Sequence, residues 1–334
     1  MSDFYDHLHL KLNPDGTVSR FLKLPPASAD AQASSGDSPS VTKTLTLDPA
    51  KKTSVRLYLP SQLNAKNNKT NNASSRLPIV VYFHGNSFVV NGTDNLPLQL
   101  WCSNYCNVMP AIIVLVDYRL APENRLPAQY EDAIDALQWV KKQVLDPKGE
   151  PWLKDYGDLS CCYMHGDDSG GNIVFHAALR ATSLDLSPLK VAGLIMNQPL
   201  FGGKQRTQSE MKYATDQILP LPVLDLIWEL ALPKGTDRGH RYCNPMVDGP
   251  HREMLHNLPR SLVIGFGMDP LIDRQQDFVE MLALNGAQVE AQFDQVGFHR
   301  IELVDTKRAV AINDLIKEFI SADNKNRSLK PNHN

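Results

Sequence analysis

Residues 161–172, Cys-Cys-Tyr-Met-His-Gly-Asp-Asp-Ser-Gly-Gly-Asn, constrain the fold more than any other stretch. An apolar run at 161–164 meets a glycine turn between Gly166 and Gly171, and 172–179 then reads as a helix. Strand, sharp turn and helix in that order predict a strand that ends at one edge of a sheet and presents the turn residue there. In a G-x-S-x-G turn of this kind the central residue is serine. Here Gly166-Asp167-Asp168-Ser169-Gly170 puts Asp168 at the centre, with a serine one place late.

The surrounding pattern supplies the sheet. Residues 79–83, 111–116, 191–195 and 261–266 are continuous apolar runs rich in Val and Ile, as expected of strands buried on both faces of a parallel sheet. A further strand is expected at 289–293. Helical periodicity or composition marks 95–108, 127–144, 274–285 and 306–321 between and after them. Residues 41–47 and 54–59 alternate instead, and predict strands with one solvated face. The fold class is therefore α/β, a mostly parallel central sheet with helices on both faces, and its site belongs at the edge where the strands end.

One domain is expected over 1–334. Residues 1–26, with the turn Asn13-Pro14-Asp15-Gly16, are too short for a domain and predict a flap. Together with the loose Ala/Ser/Pro linker at 27–40 they form an N-terminal flap and linker, 1–40. The Asn/Lys/Ser tract at 64–75 reads as a disordered hairpin tip. Residues 205–240, with a helix near 223–232 bounded by prolines, read as a cap inserted above the strand ends. The tail 322–334 is polar and expected to be disordered.

Composition excludes several classes. Formal net charge is −3 with no basic patch, so no nucleic-acid partner is expected. Five cysteines without framework spacing argue against a disulfide scaffold. Cys102 and Cys106 lack the further ligands of a zinc site, so no metal is expected, and no cofactor. No signal peptide and no membrane span are read, so the expected localisation is cytoplasmic.

Three loops at the strand ends carry unusual chemistry. His84-Gly85-Asn86-Ser87-Phe88 follows the strand at 79–83 and reads as a turn whose backbone N–H groups face the 166–171 turn. Asp269, after the strand at 261–266, is a candidate orienter of an imidazole, or a simple cap. Asp273 reads as a helix-start residue. His299, after the last strand, is a candidate base, although a lone loop histidine is usually a surface residue. Elbow, aspartate and histidine in this chain order match the triad order of α/β hydrolases.

The stretch Val116-Asp117-Tyr118-Arg119-Leu120-Ala121-Pro122-Glu123 resembles the signature of the hormone-sensitive-lipase-like branch of α/β hydrolases, and the chain looks specifically like a plant carboxylesterase. Leu126–Ala133, Asn172-Ile173, Asn197-Gln198-Pro199 and Asp269-Pro270-Leu271 support this, and the similarity runs over about 5–321. The resemblance implies an α/β-hydrolase fold and a serine esterase with an N-terminal segment over its pocket. Its relatives include a hydroxyisoflavanone dehydratase, alkaloid cyclases and the gibberellin receptor. It assigns the nucleophile position to Asp168, the acid to Asp269 and the base to His299. The backbone N–H groups of Asn86, Ser87 and Ser169 become the oxyanion donors, with His84, Gly85, Gly166, Gly170 and Gly171 as motif support. The chain departs from the family pattern at Asp168 and at Asn86-Ser87.

An aspartate at this turn is expected to be ionised, since its ordinary pKa is near ~3.9 and helix N-terminus and N–H donors favour the anion. His299, between two carboxylates, is then expected to be protonated. No hydroxyl proton remains for it to remove. Nucleophilic Asp168 suits attack at an alkyl carbon rather than at a carboxyl ester. Ser169 is expected to point away from the pocket. Three readings stay open: a carboxylesterase of small plant metabolite esters with its serine chemistry lost or altered, a lyase, cyclase or decarboxylase using Asp168 and His299 as an acid–base pair, and a catalytically dead receptor. In each, the partner is a small, largely apolar molecule, and the oligomeric state is open.

Overall fold

The computed structural model describes residues 2–22, 40–64 and 76–328. Its ten strands are β1 (Leu10–Leu12), β2 (Val18–Arg20), β3 (Ser40–Asp48), β4 (Thr53–Pro60), β5 (Leu77–Phe83), β6 (Ile112–Asp117), β7 (Gly157–Asp167), β8 (Val191–Asn197), β9 (Arg260–Phe266) and β10 (Val289–Asp294). β3 to β10 form one eight-stranded sheet in the order β10-β9-β8-β7-β5-β6-β4-β3. β5 to β10 run parallel, while β4 pairs antiparallel with both β6 and β3.

Burial follows the sequence pattern. In β5, Ile79, Val81 and Phe83 face one core, and Val80 and Tyr82 face the other. The first core holds the helices Ala128–Leu145 and Ser169–Ala181. The second is closed by Leu96–Val108 and by Thr306–Ser328, through Cys102, Tyr105, Ile312, Ile316 and Phe319. A continuous apolar run is what a strand needs when helices cover both its faces. The alternating strand β3 lies at one edge, and β10 at the other is largely exposed. All five cysteines are buried and none is in a disulfide. Cys102 and Cys106 are core residues, and no cluster of three or more potential metal ligands occurs among the described residues.

The signature 116–123 serves as a set of tethers. Arg119 donates through its backbone N–H and its Nε to Asp132 at 2.9 Å, which pins the helix Ala128–Leu145 to the end of β6. Glu123 accepts the Val18 N–H at 3.0 Å and pairs with Arg20 at 2.8 Å. The N-terminal hairpin β1–β2 is thereby held to the main domain, and His7 Nε2 donates to the Ile218 carbonyl at 3.0 Å. Within 205–240, the helix Leu221–Ala231 buries Val223, Leu224, Ile227 and Trp228. A capping box at Thr207 and Glu210 starts the short helix Gln208–Lys212. Glu210 is also fully buried against Arg274, 3.0 Å away.

Two expectations change here. The last helix continues to Ser328, so the polar segment expected to be disordered from 322 is helical over 322–328. Polar residues carry no apolar periodicity, so nothing in their sequence marks this extension. Residues 65–75 of the expected hairpin tip, 23–39 of the linker and 329–334 of the tail lie outside the described residues, and Asn64 ends a short helix, Ser61–Asn64. Among the described residues, no helix is long and apolar enough to cross a membrane.

Candidate active site

β7 is a central strand, flanked by β5 and β8, and it ends at Asp167. The next residue, Asp168, has φ 50° and ψ −119°, and the helix Ser169–Ala181 begins directly after it. A positive φ at a non-glycine residue costs on the order of 1–3 kcal/mol, and the surroundings must hold it. They do so by close approach. A Cβ on Gly170 would lie 1.9 Å from the Phe83 carbonyl oxygen, and one on Gly166 would lie 2.2 Å from the Gly170 carbonyl. The helix start therefore packs against β5 with no room for side chains. The Asp168 N–H donates to the Asn197 carbonyl at 3.0 Å, and its own carbonyl accepts from Leu200 at 3.0 Å.

The turn after β5 has three successive left-handed residues, Asn86, Ser87 and Phe88, at φ 79°, 57° and 65°. It is braced from below. His84 stacks on Tyr118 with ring centroids 4.4 Å apart, and the Tyr118 hydroxyl donates to the His84 carbonyl at 2.8 Å. Ser169 is fully buried, and its Oγ accepts the Phe88 N–H at 3.1 Å. Its hydroxyl thus points into the 84–88 turn. The helix Leu221–Ala231 meets the same turn, with the Phe88 and Trp228 rings 5.8 Å apart.

Asp168, His299 and Asp269 come together although their sequence positions span more than a hundred residues. His299 Nδ1 lies 2.9 Å from Asp269 Oδ2, and His299 Nε2 lies 3.7 Å from Asp168 Oδ1. Asp269 is fully buried and also accepts the Leu271 N–H at 2.9 Å and the Gln275 amide at 3.2 Å. Asp168 and His299 are each 3% exposed. The second Asp168 oxygen, Oδ2, accepts the backbone N–H of Ser87 at 2.9 Å. Oδ1 has no hydrogen-bond partner among the described residues.

The electrostatics follow from these contacts. Burial opposes charge on His299, but Asp269 and Asp168 outweigh it and raise its pKa to about 10. Burial likewise opposes charge on Asp168, yet His299, Arg300 and the Ser87 N–H hold its carboxyl below the ordinary value. At neutral pH the three groups form a carboxylate–imidazolium–carboxylate row.

Arg300 and Glu302 carry no signal in the sequence patterns read above, and Gln198 and Asp167 enter there only as members of motifs, with no role of their own. Arg300 follows His299 at φ 63°, its N–H donates to Gln198 Oε1 at 2.6 Å, and its guanidinium pairs with Glu302 at 3.1 Å. Gln198 Nε2 donates to Glu302 Oε2 at 2.8 Å. Asp167 is held at a pKa of about 2: burial opposes its charge, and His165, Arg300 and the Tyr82 hydroxyl favour it. A cavity of about 340 Å³ opens beside the 84–86 turn. Leu22, Leu98, Trp101 and Leu303 form apolar walls, and Arg300 and Glu302 also line it. Asp273, read as a helix-start residue, accepts the Ser209 N–H at 2.8 Å in the first turn of the helix Ile272–Leu284.

A parallel sheet with a strained residue on a strand–helix elbow, faced by a histidine–aspartate pair, defines an α/β hydrolase. The sequence profile of the alpha/beta hydrolase fold matches residues 80–303, and the chain belongs to that family. Within it the protein is carboxylesterase-like. It is 46% identical over 320 residues to the probable carboxylesterase 9 of Arabidopsis thaliana, covering 96% of this chain and 97% of that one. It is 43% identical over 328 residues to a 3-O-acetylpapaveroxine carboxylesterase of Papaver somniferum, covering 96% of this chain and 100% of the relative. Among solved structures, an esterase of Pyrobaculum calidifontis superposes with a TM-score of 0.68 at 25% identity, over 84% of this chain and 85% of its own.

Proposed function

We propose that this carboxylesterase-like protein acts on a small, largely apolar molecule bearing an O-acyl group, and removes that group by elimination rather than by acyl transfer. Asp168 and His299 are the base and the acid. The observation that carries the reading is the 2.9 Å bond from the Ser87 N–H to Asp168 Oδ2. In acyl transfer that donor must be free for the oxyanion of a tetrahedral intermediate. Here the residue at the nucleophile position fills it, and the imidazole that would serve as base is already protonated.

What remains is Asp168 Oδ1, buried, without a hydrogen-bond partner among the described residues and 3.7 Å from His299 Nε2. Oδ1 takes a proton from a carbon next to the acylated carbon. The electron pair of that C–H bond becomes a C=C bond, the alkyl C–O bond breaks, and the leaving carboxylate takes the His299 proton. A carboxylate held below its ordinary pKa is a weak base, so the C–H must be acidified by an adjacent carbonyl. The cavity beside Asn86, walled partly by Leu22, Leu98, Trp101 and Leu303, and the O-acetylated molecule in the name of the Papaver relative both support a small acylated metabolite of specialised metabolism.

The test is 4-acetoxy-2-butanone in H₂¹⁸O, followed by mass spectrometry. Elimination yields the enone and acetate free of ¹⁸O. The alcohol with ¹⁸O in the acetate would mean hydrolysis and would overturn the reading.

A further inference from the structure

Away from the elbow, on the outer side of the helix Ser169–Ala181, a second cavity of about 410 Å³ is lined by His176, Arg180, Arg241, Tyr242 and His251, with Ser183 at its rim. No carboxylate lines it. The acids of the neighbouring loop are engaged elsewhere: Asp237 pairs with Lys204 at 2.8 Å, and Asp248 with Arg252 at 3.4 Å. Glu253, on the adjoining 3-10 helix Pro250–Asn257, does not line the cavity. Arg180 and Arg241 form no ion pair among the described residues. Arg180 donates to the Tyr242 hydroxyl at 3.4 Å, and its guanidinium lies 5.5 Å from the Tyr130 ring centroid. Arg241 sits 5.3 Å from the Tyr242 ring centroid.

Two buried histidines complete the wall. His176 is 6% exposed, stacked on Tyr130 at 4.7 Å, and its Nε2 has no hydrogen-bond partner among the described residues. His251 is 4% exposed. Its Nε2 donates to the Pro245 carbonyl at 2.8 Å, which leaves Nδ1 without a partner among the described residues. Two guanidinium groups without ion-pair partners among the described residues, Arg180 part-buried and Arg241 exposed, therefore line one cavity, with the two histidine rings packed in its wall and their unpartnered nitrogens closed off from the open space. An anion with several acceptor oxygens satisfies both guanidinium groups together.

We propose that this cavity is a binding site for a phosphate-type dianion, either free phosphate or the phosphate group of a small phosphomonoester. The forks of Arg180 and Arg241 match phosphate oxygens, and Ser183 and Tyr242 supply hydroxyl donors. The cavity is large enough for more than the phosphate, and Leu179 and Met254 give its remainder an apolar wall. His176 reports occupancy. Burial first, then His251, Arg241 and Arg180, hold its pKa well below the ordinary value, and a bound dianion offsets the cationic share. The site is independent of the chemistry at the elbow.

The experiment is calorimetric titration of the full chain with inorganic phosphate, phenyl phosphate and benzoate, each against sodium chloride at equal ionic strength. Both phosphates should bind, benzoate at least tenfold more weakly. Arg241→Gln and Arg180→Gln should each weaken binding about tenfold or more, and Arg252→Gln, outside the cavity, should not. Phenyl phosphate binding more tightly than phosphate identifies a phosphomonoester as the natural source, and equal binding identifies free phosphate. Histidine NMR should show the His176 pKa rising on addition of phosphate. Phosphate that binds no better than chloride, arginine variants that bind as the parent does, or a His176 titration unmoved by phosphate would each overturn the assignment.

Discussion

The carboxylate of Asp168 accepts the backbone N–H of Ser87 at 2.9 Å, so the side chain on the elbow occupies an N–H that the proposed reading treats as the oxyanion donor of an esterase. A serine there is too short by one atom and carries no charge to compete for that N–H. In the proposed reading, one residue thus bears on three things: the nucleophile, the oxyanion donor and the protonation state of His299.

Asp168→Ser should therefore restore esterase behaviour. It frees the Ser87 N–H, removes one of the two anions beside His299 and supplies a hydroxyl on the strained elbow. Restoring a missing oxyanion donor alone is worth on the order of 10²–10³ in turnover, and the serine adds to it. Hydrolysis of p-nitrophenyl acetate should rise at least about 100-fold over the parent. Asp168→Asn, which keeps the shape but brings no nucleophile, should not raise it.

Ser169 should prove structural. Its Oγ accepts the Phe88 N–H, so Ser169→Ala leaves a buried donor unsatisfied at a cost of about 1–3 kcal/mol. Urea unfolding of the single variant measures that loss. Adding Ser169→Ala to Asp168→Ser should leave p-nitrophenyl acetate hydrolysis within a few-fold of the single variant. Loss of the restored activity would make Ser169 the nucleophile.

His299→Ala should destabilise the fold. It leaves two buried carboxylates, Asp168 and Asp269, without the cation between them, and breaking a buried pair on one side typically costs about 3–5 kcal/mol. The combined variant with Asp168→Asn should recover part of this stability. Full additivity of the two losses in denaturant titrations would mean the groups do not interact.

Stability should also depend on alkaline pH through the same residue. His299 keeps its proton to about pH 10 in the folded chain and releases it near 6.5 when unfolded. The folded state binds the extra proton between those values. Its stabilisation is complete below pH 6.5 and is lost as pH rises through about 10. The Tm difference between the parent and His299→Gln should shrink over that window, and a constant difference would argue against the imidazolium.

The architecture was legible because strand burial is local. Runs such as 79–83 and 261–266 are apolar at every position, and only a sheet covered on both faces hides such a run. The elbow was legible for a similar reason, since Gly166, Gly170 and Gly171 mark backbone that packs without side chains. The three-residue row Asp168–His299–Asp269 was legible only through chain order. The helix from 322 to Ser328 was not, because a run of polar residues carries no apolar periodicity.

By itself, then, the sequence determined the layered sheet, the turn on which Asp168 stands and the charge that an aspartate brings there. Only the tertiary structure decided where that charge goes. Arg300, Glu302 and Gln198 join the site through contacts between loops, and the Ser87 N–H meets Asp168 across 81 positions of chain. Local composition records none of these pairings, because hydrogen bonds between distant loops depend on where the sheet brings the loop ends. The arginines and histidines around the second cavity are likewise scattered between 176 and 251 and converge only when the helix Ser169–Ala181 packs against the 240–254 segment.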